Sequence, residues 1–170
     1  MLAENQNIIV VSVQYRLGAF GFVHSEAFEA EDGVKGNWGI HDQRAALQWV
    51  NRYISHLGGD PDQVTISGCS AGGQSTMVHL TSPKSWPYFS KVLSFSAPNG
   101  MPYKTQAEAA EFNRIFFRNV GCCQNLSCAT PDLDCLRTKS VTEIQKAAWS
   151  LRQMIPDVCL KYTSWKSLIM

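Results

Sequence analysis

The hydrophobic pattern changes period along the chain. Residues 8–15 are near-continuously apolar, with Ile8, Ile9, Val10, Val11 and Val13 all β-branched. Such a run predicts a strand from Ile8 to Tyr15, buried on both faces as in a parallel sheet. Gly18 and Gly21 then mark a loop, and Ser25 to Asn37, with Glu26, Glu29, Glu31 and Asp32, reads as an exposed acidic loop rather than a site. From Ile40 the period becomes helical. Ala46, Val50, Tyr53 and Leu57, with Leu47 and Ile54, form one apolar face as far as Leu57, and Gly58-Gly59 ends it. A second strand is expected at Val64–Ser67, then a helix to about Leu80 that Pro83 stops, then a third strand at Val92–Ser96. Strand, helix, strand, helix, strand is the alternation of an α/β protein with a parallel sheet.

Beyond Pro98-Asn99-Gly100 the pattern is helical only. Thr105 and Glu108 form a capping-box pair. Phe112, Ile115, Phe116 and Val120 make an apolar stripe that Gly121 closes. Thr130-Pro131 is expected to start a short helix with proline in its first position, and Ser140 with Glu143 to cap another. Tyr162 to Met170 shows no clear pattern, and the chain has no internal repeat or low-complexity segment. The 170 residues suit one domain or a piece of one, with a sheet-bearing part over 1–100 and a helical part over 101–170.

Composition narrows the classes. A hydrophobic content of 45% with 11% aromatic residues allows a real core. A net charge of +1 gives no reason to expect nucleic acid or an anionic membrane as partner. The longest aliphatic run, Ile8 to Val11, is far short of the roughly 20 residues of a membrane-spanning helix.

The candidate chemistry lies in Gly68-Cys69-Ser70-Ala71-Gly72-Gly73, at the junction of the second strand and its helix. A serine on a sharp strand-to-helix turn has its hydroxyl pushed out above the sheet. Gly68 and Gly72 flank it because a Cβ there would crowd strand or helix, and Gly73 extends the elbow. The first helical N–H, from Ala71, has no partner within the helix and would face an oxyanion formed on a substrate bonded to Ser70.

The flanks, Gly58-Gly59-Asp60-Pro61-Asp62 and Ala71-Gly72-Gly73-Gln74-Ser75, join two upstream blocks: Tyr15-Arg16-Leu17-Gly18-Ala19-Phe20-Gly21-Phe22, and Gly36 through Val50 with its Asp42-Gln43-Arg44 centre. Together they resemble the type-B carboxylesterase family, which includes the cholinesterases. The resemblance is dense from about Asn7 to Ala97 and thinner to about Ser140. It implies part of an α/β-hydrolase fold, a mostly parallel sheet flanked by helices with a helical C-terminal part. It also implies hydrolysis of a small-molecule carboxylic ester by Ser70 through an acyl-enzyme, with no cofactor and no metal.

In that fold the acid and then the histidine follow the serine. His24, His41 and His56 precede Ser70, and His79 lies about 13 Å along the same expected helix. All four histidines are therefore read as structural or surface residues. Asp132, Asp134, Glu143 and Asp157 come too early for the family's acid, and the glycine-rich oxyanion loop would precede Ile8. The chain is thus expected to be a fragment, inactive alone. Non-catalytic adhesion or binding modules resembling cholinesterases, and a truncated non-functional product, are the alternative readings.

The resemblance also pairs Arg16 with Asp42 as an ion pair beneath the site, and Cys122 with Cys135 as a disulfide. The partners of Cys123, Cys128 and Cys159 stay open, and zinc is disfavoured because there is no Cys-x-x-Cys and no nearby histidine. Cys69 stands where the family most often has Glu, which weakens the case for a cationic choline ester; it reads as a small residue in a tight, buried turn. No signal peptide is visible at Met1–Asn7, yet the crowded cysteines and the Asn125-Leu126-Ser127 sequon suggest glycosylation at Asn125 and a secreted or cell-surface protein. Nothing in the sequence fixes the ester or the oligomeric state.

Overall fold

The computed structural model describes residues 7–154 apart from 98, 99, 101, 102 and 126; Cys159 and the 162–170 segment lie outside the described residues. In chain order the elements are α1 (Gly18–Phe22), α2 (Glu26–Asp32), α3 (Trp38–Tyr53), β1 (Thr65–Cys69), α4 (Ala71–Leu80), β2 (Lys91–Phe95), α5 (Gln106–Val120), α6 (Leu133–Thr138) and α7 (Val141–Met154). They form two compact units. One takes residues 7–15 and 39–97, the other 16–38 and 100–154. The segment 16–38, which sequence order places with the sheet, thus belongs to the helical unit.

In the first unit β1 and β2 pair in parallel, in register from Thr65 opposite Lys91 to Cys69 opposite Phe95. Helix α4 connects them and packs on both strands. Side chains alternate along β1: Ile66 is buried, whereas Thr65, Ser67 and Cys69 are exposed. Cys69 is therefore a free, exposed thiol, which corrects the expectation that it is buried. Strand alternation puts it on the face opposite Ile66.

The expected strand at Ile8–Tyr15 does not form. The segment belongs to no strand, and Ile8 to Val11 are 42–59% exposed. Its β-branched composition favours an extended chain, but a strand exists only where another strand completes its hydrogen bonds. Helix α3 also ends earlier than its apolar period. It stops at Tyr53 and tightens into a 3₁₀ turn over Ile54–Leu57, because Gly58 adopts the left-handed conformation and returns its N–H to the carbonyls of Ile54 and Ser55. Val50 and Ile54 are buried as expected, whereas Leu57 is exposed and the polar Gln43 is buried.

In the second unit the core gathers Ala19 and Val23 from the α1 region, Phe116, Phe117 and Val120 of α5, and Ile144 and Ala147 of α7. Phe28 packs edge-on against Trp38 and Phe117, with ring centroids 4.8 and 6.2 Å apart. The acidic segment after Ser25 is not a loop but helix α2. The Ser25 hydroxyl accepts from the Ala27 N–H, Gly33 takes the left-handed cap, and Lys35 pairs with Glu26 at 2.7 Å and Glu29 at 3.1 Å. A side-chain cap and an adjacent cation thus turn a charged run into a helix.

The Thr105–Glu108 capping box starts α5, and Gly121 ends it in the left-handed conformation. Ser140 and Glu143 likewise exchange bonds at the start of α7, 2.8 and 3.3 Å. Helix α6 begins later than expected. Pro131 is buried in a bridge to Cys123, and the Asp132 carboxylate caps the helix by accepting from the Cys135 N–H at 2.9 Å. Cys122 with Cys135, and Cys123 with Cys128, stand at disulfide distance, with Cα separations of 5.5 and 4.9 Å.

Candidate active site

Ser70 is the single residue between the end of β1 and the first residue of α4. Its backbone has φ +54° and ψ −114°, the mirror image of the extended region and the first corner of a type II′ turn, where glycine is the residue of choice. An L-residue there is strained. The strain is held by bonds at both ends. The Ser70 N–H donates to the Phe95 carbonyl at 2.9 Å, tying the turn to the end of β2, and the Ser70 carbonyl accepts from the Gln74 N–H at 2.9 Å, opening α4. The side chain is exposed and makes no capping bond to its own helix, so the hydroxyl is not consumed by the commonest local use of a serine at a helix start.

Glycine makes the sharp turn possible. A Cβ on Gly68 would lie 2.2 Å from the carbonyl carbon and oxygen of Gly72 and 2.7 Å from the Gly73 nitrogen. These are backbone atoms that cannot move aside, so the helix can approach the strand only over a bare Cα. A Cβ on Gly73 would lie 2.9 Å from the Phe95 carbonyl oxygen. The Gly73 carbonyl accepts from Thr76 Oγ1 at 2.7 Å and from Ser94 Oγ at 3.1 Å, a second tie between the first turn of α4 and β2. Ala71 is buried, and its N–H stands in the first turn, where an α-helix offers no acceptor.

The histidines are placed as follows. His24 lies in the helical unit, and its Nδ1 is buried without a hydrogen-bond partner. His41 is an exposed residue of α3. His56 is exposed in the 3₁₀ turn, its ring 6.4 Å from that of Tyr53. His79 is buried on α4, with Nε2 2.9 Å from Gln43 Oε1 and Nδ1 2.9 Å from Ser85 Oγ. Burial and the nearby Arg44 guanidinium push its ring down to about 4, so it is neutral at pH 7. With both ring nitrogens committed to hydrogen bonds, His79 is not available to Ser70 as a base. Arg16 belongs to the helical unit and Asp42 to the sheet unit.

Asn125 is exposed, and its Oδ1 accepts from the Ser127 hydroxyl at 2.6 Å and the Cys128 N–H at 3.0 Å; Leu126, the middle residue of the sequon, lies outside the described residues. Among the described residues no group of three or more His, Cys, Asp or Glu could hold a metal ion, and no helix is long and apolar enough to cross a membrane.

The one motif marks Ser70, Gly68 and Gly73, and these residues meet at a single strand-to-helix turn. It does not mark the partners of His79. Gln43 and Ser85 lie 36 residues before and 6 residues after it, and no local pattern marks such a cluster.

Comparison with known proteins is consistent across sequence and structure. The model of the carboxylesterase family matches residues 1–169. Acetylcholinesterase of Danio rerio is 39% identical over 152 residues, 88% of this chain and 23% of that protein. Acylcarnitine hydrolase of Mus musculus is 37% identical over 158 residues, 93% of this chain and 27% of that protein. Among solved structures, a carboxylesterase of Geobacillus stearothermophilus superposes with a TM-score of 0.78 at 32% identity, covering 88% of this chain and 30% of its own. The chain spans about a quarter of the length of the curated relatives it matches.

Proposed function

The chain belongs to the carboxylesterase family, and on that premise we propose that it carries the nucleophile of a serine carboxylic ester hydrolase, Ser70. The observation that carries the reading is the strained backbone of Ser70. A serine is kept at φ +54° and ψ −114°, where glycine would be relaxed, and its hydroxyl makes no bond to the helix it precedes. Strain of this kind costs about 1–3 kcal/mol and persists where the surroundings over-determine it, as at active sites.

In this reading the Ser70 hydroxyl attacks the ester carbonyl while a base takes its proton. The Ala71 N–H donates to the oxyanion, the alcohol leaves, and water releases the acid from the acyl-enzyme. Gly68, Gly72 and Gly73 allow the turn. None of the four histidines described above serves as the base, so the 170-residue chain by itself does not turn over ester. The base and its acid belong to a longer protein that contains this chain. Secretion, the Cys122–Cys135 link and a glycan on Asn125 are part of the same reading. It names no particular ester.

The test compares the 170-residue chain, a longer protein containing it, and their Ser70→Ala forms on p-nitrophenyl acetate. Turnover is expected only in the longer protein and is lost in its alanine form. Saturable turnover by the 170-residue chain that disappears on Ser70→Ala refutes the inactivity of the short chain. Turnover that survives Ser70→Ala in the longer protein refutes the nucleophile and favours the binding-module alternative for this segment.

A further inference from the structure

Helix α4 is tied to α3 by a buried polar cycle that the proposed reaction does not use. Ala71, Ser75 and His79 recur every four residues, so they lie on one face of α4, and all three are buried. Gln43 of α3 grips two of them, one turn apart: its Nε2 donates to Ser75 Oγ at 3.2 Å and its Oε1 meets His79 Nε2 at 2.9 Å. On the other side of the imidazole, Ser85 Oγ meets Nδ1 at 2.9 Å. Arg44, next to Gln43, closes the cycle by donating from Nε to Ser85 Oγ and from Nη2 to Ser82 Oγ, both at 3.0 Å.

Ser85 decides the tautomer. It is fully buried, and its oxygen already accepts from Arg44. Its one hydroxyl proton needs an acceptor, and His79 Nδ1 is the acceptor at hydrogen-bond distance. Nδ1 is therefore unprotonated, Nε2 carries the proton, and Nε2–H donates to the Gln43 carbonyl oxygen. Both imidazole nitrogens, the Ser85 hydroxyl and the Gln43 carbonyl oxygen then have matching partners.

We propose that neutral His79, as the Nε2–H tautomer, is the positioning residue that holds the Ser70 elbow helix on α3, so that the elbow loosens when the imidazole gains a proton. The proposal rests on the reading of Ser70 as nucleophile for its functional meaning, though not for its physics. Protonation would put an N–H on Nδ1 facing Ser85, force the Ser85 hydroxyl proton away from its acceptor, and set a second positive charge beside Arg44. Among the described residues the charged group that acts on His79 is Arg44; its ring partners Gln43 and Ser85 do not titrate.

The direction with pH follows from the imidazole. In the unfolded chain its pKa is about 6.5, whereas in the fold it is pushed down to about 4. The unfolded or opened form therefore binds more protons between these values. The support given by His79 is complete above about pH 6.5 and is lost as pH falls toward 4.

The experiment uses the uniformly ¹⁵N-labelled 170-residue chain between pH 8 and pH 4, carrying Leu93→Lys and Phe95→Lys on the exposed face of β2 to keep it dispersed. Two-bond proton–nitrogen spectra read the His79 tautomer. Amide exchange, corrected for its intrinsic pH dependence, reads the opening of α4 from Ala71 to His79. We expect an Nε2–H imidazole at pH 7 and protection of α4 that falls about twenty-fold from pH 7 to pH 5. His79→Gln, which cannot titrate, gives lower protection with no fall over that range. Arg44→Met keeps His79 but raises its folded pKa, so the fall still begins near pH 6.5, ends at a higher pH and is smaller. Ser70→Ala leaves the titration unchanged, and since no turnover is measured, failure of the nucleophile assignment leaves this result standing. A doubly protonated or Nδ1–H imidazole at pH 7 overturns the proposal. So does flat protection where His79 is kept, or a fall that survives in His79→Gln.

Discussion

Ser70 occupies a backbone conformation that glycine adopts freely, with φ +54° and ψ −114°. Relieving that strain has a measurable consequence. Ser70→Gly is expected to be more stable than Ser70→Ala by about 1 kcal/mol, because alanine keeps the strained Cβ and glycine does not; the greater freedom of glycine in the unfolded chain offsets part of the gain. Urea denaturation of the two variants measures it, and equal midpoints would show that the turn is relaxed. Gly68→Ala has the opposite sign. Its methyl would meet the Gly72 carbonyl at 2.2 Å, so the helix must lift from the strand, at an expected loss of about 1–3 kcal/mol in the same assay. A change within 0.5 kcal/mol, the ordinary surface range, would mean that the close approach is not there. These residues were legible because one motif fixes both the strand-to-helix context and the bare Cα positions. The environments of Cys69 and His79 were not. The face taken by Cys69 depends on which side of β1 is covered, and the setting of His79 depends on contacts 36 residues away.

At the scale of elements, the parts that came through from sequence are those with local causes. The capping boxes at Thr105 and Ser140 and the left-handed glycines Gly58 and Gly121 mark their helix ends by side-chain or backbone chemistry within four residues. Thr105→Ala is expected to destabilise the helical unit by about 1 kcal/mol, read by chemical denaturation of the α5 region. The Ile8–Tyr15 run has the right composition for a strand but no pairing partner among the described residues, and partners are not written in local composition. Helix α2 was missed for the converse reason: its support from Ser25 and Lys35 is side-chain chemistry on a charged run with no apolar stripe. The cysteines give a sharper test. Peptide mapping without reduction should recover Cys122 linked to Cys135 and Cys123 linked to Cys128. Cys122→Ser with Cys135→Ser should destabilise by about 3 kcal/mol through the freed loop. A Cys122–Cys128 link would contradict the arrangement around Pro131.

At the scale of the whole molecule, apolar surface is left uncovered in the sheet unit. Leu93 and Phe95 on β2 are 50% and 54% exposed, and Ile8 to Val11 are 42–59% exposed. Register partners in a parallel pair point to the same side, so Leu93 and Phe95 share one face with Ser67 and Cys69. Such patches drive association in water. The 170-residue chain is expected to scatter light as oligomers at micromolar concentration, and Leu93→Lys with Phe95→Lys to reduce that scattering; a monodisperse monomer would contradict this. Fold class and family were readable from several motifs in a fixed order, and the family match over residues 1–169 agrees. The number of strands that pair was not readable.

The role of Ser70 as nucleophile is tested covalently. A fluorophosphonate, which reacts with an activated serine hydroxyl, is applied to a longer protein containing this chain, and the modified peptide is mapped. One adduct is expected, on Ser70, and none on the same protein carrying Ser70→Ala. An adduct on another serine, or labelling that persists in the alanine form, would contradict it.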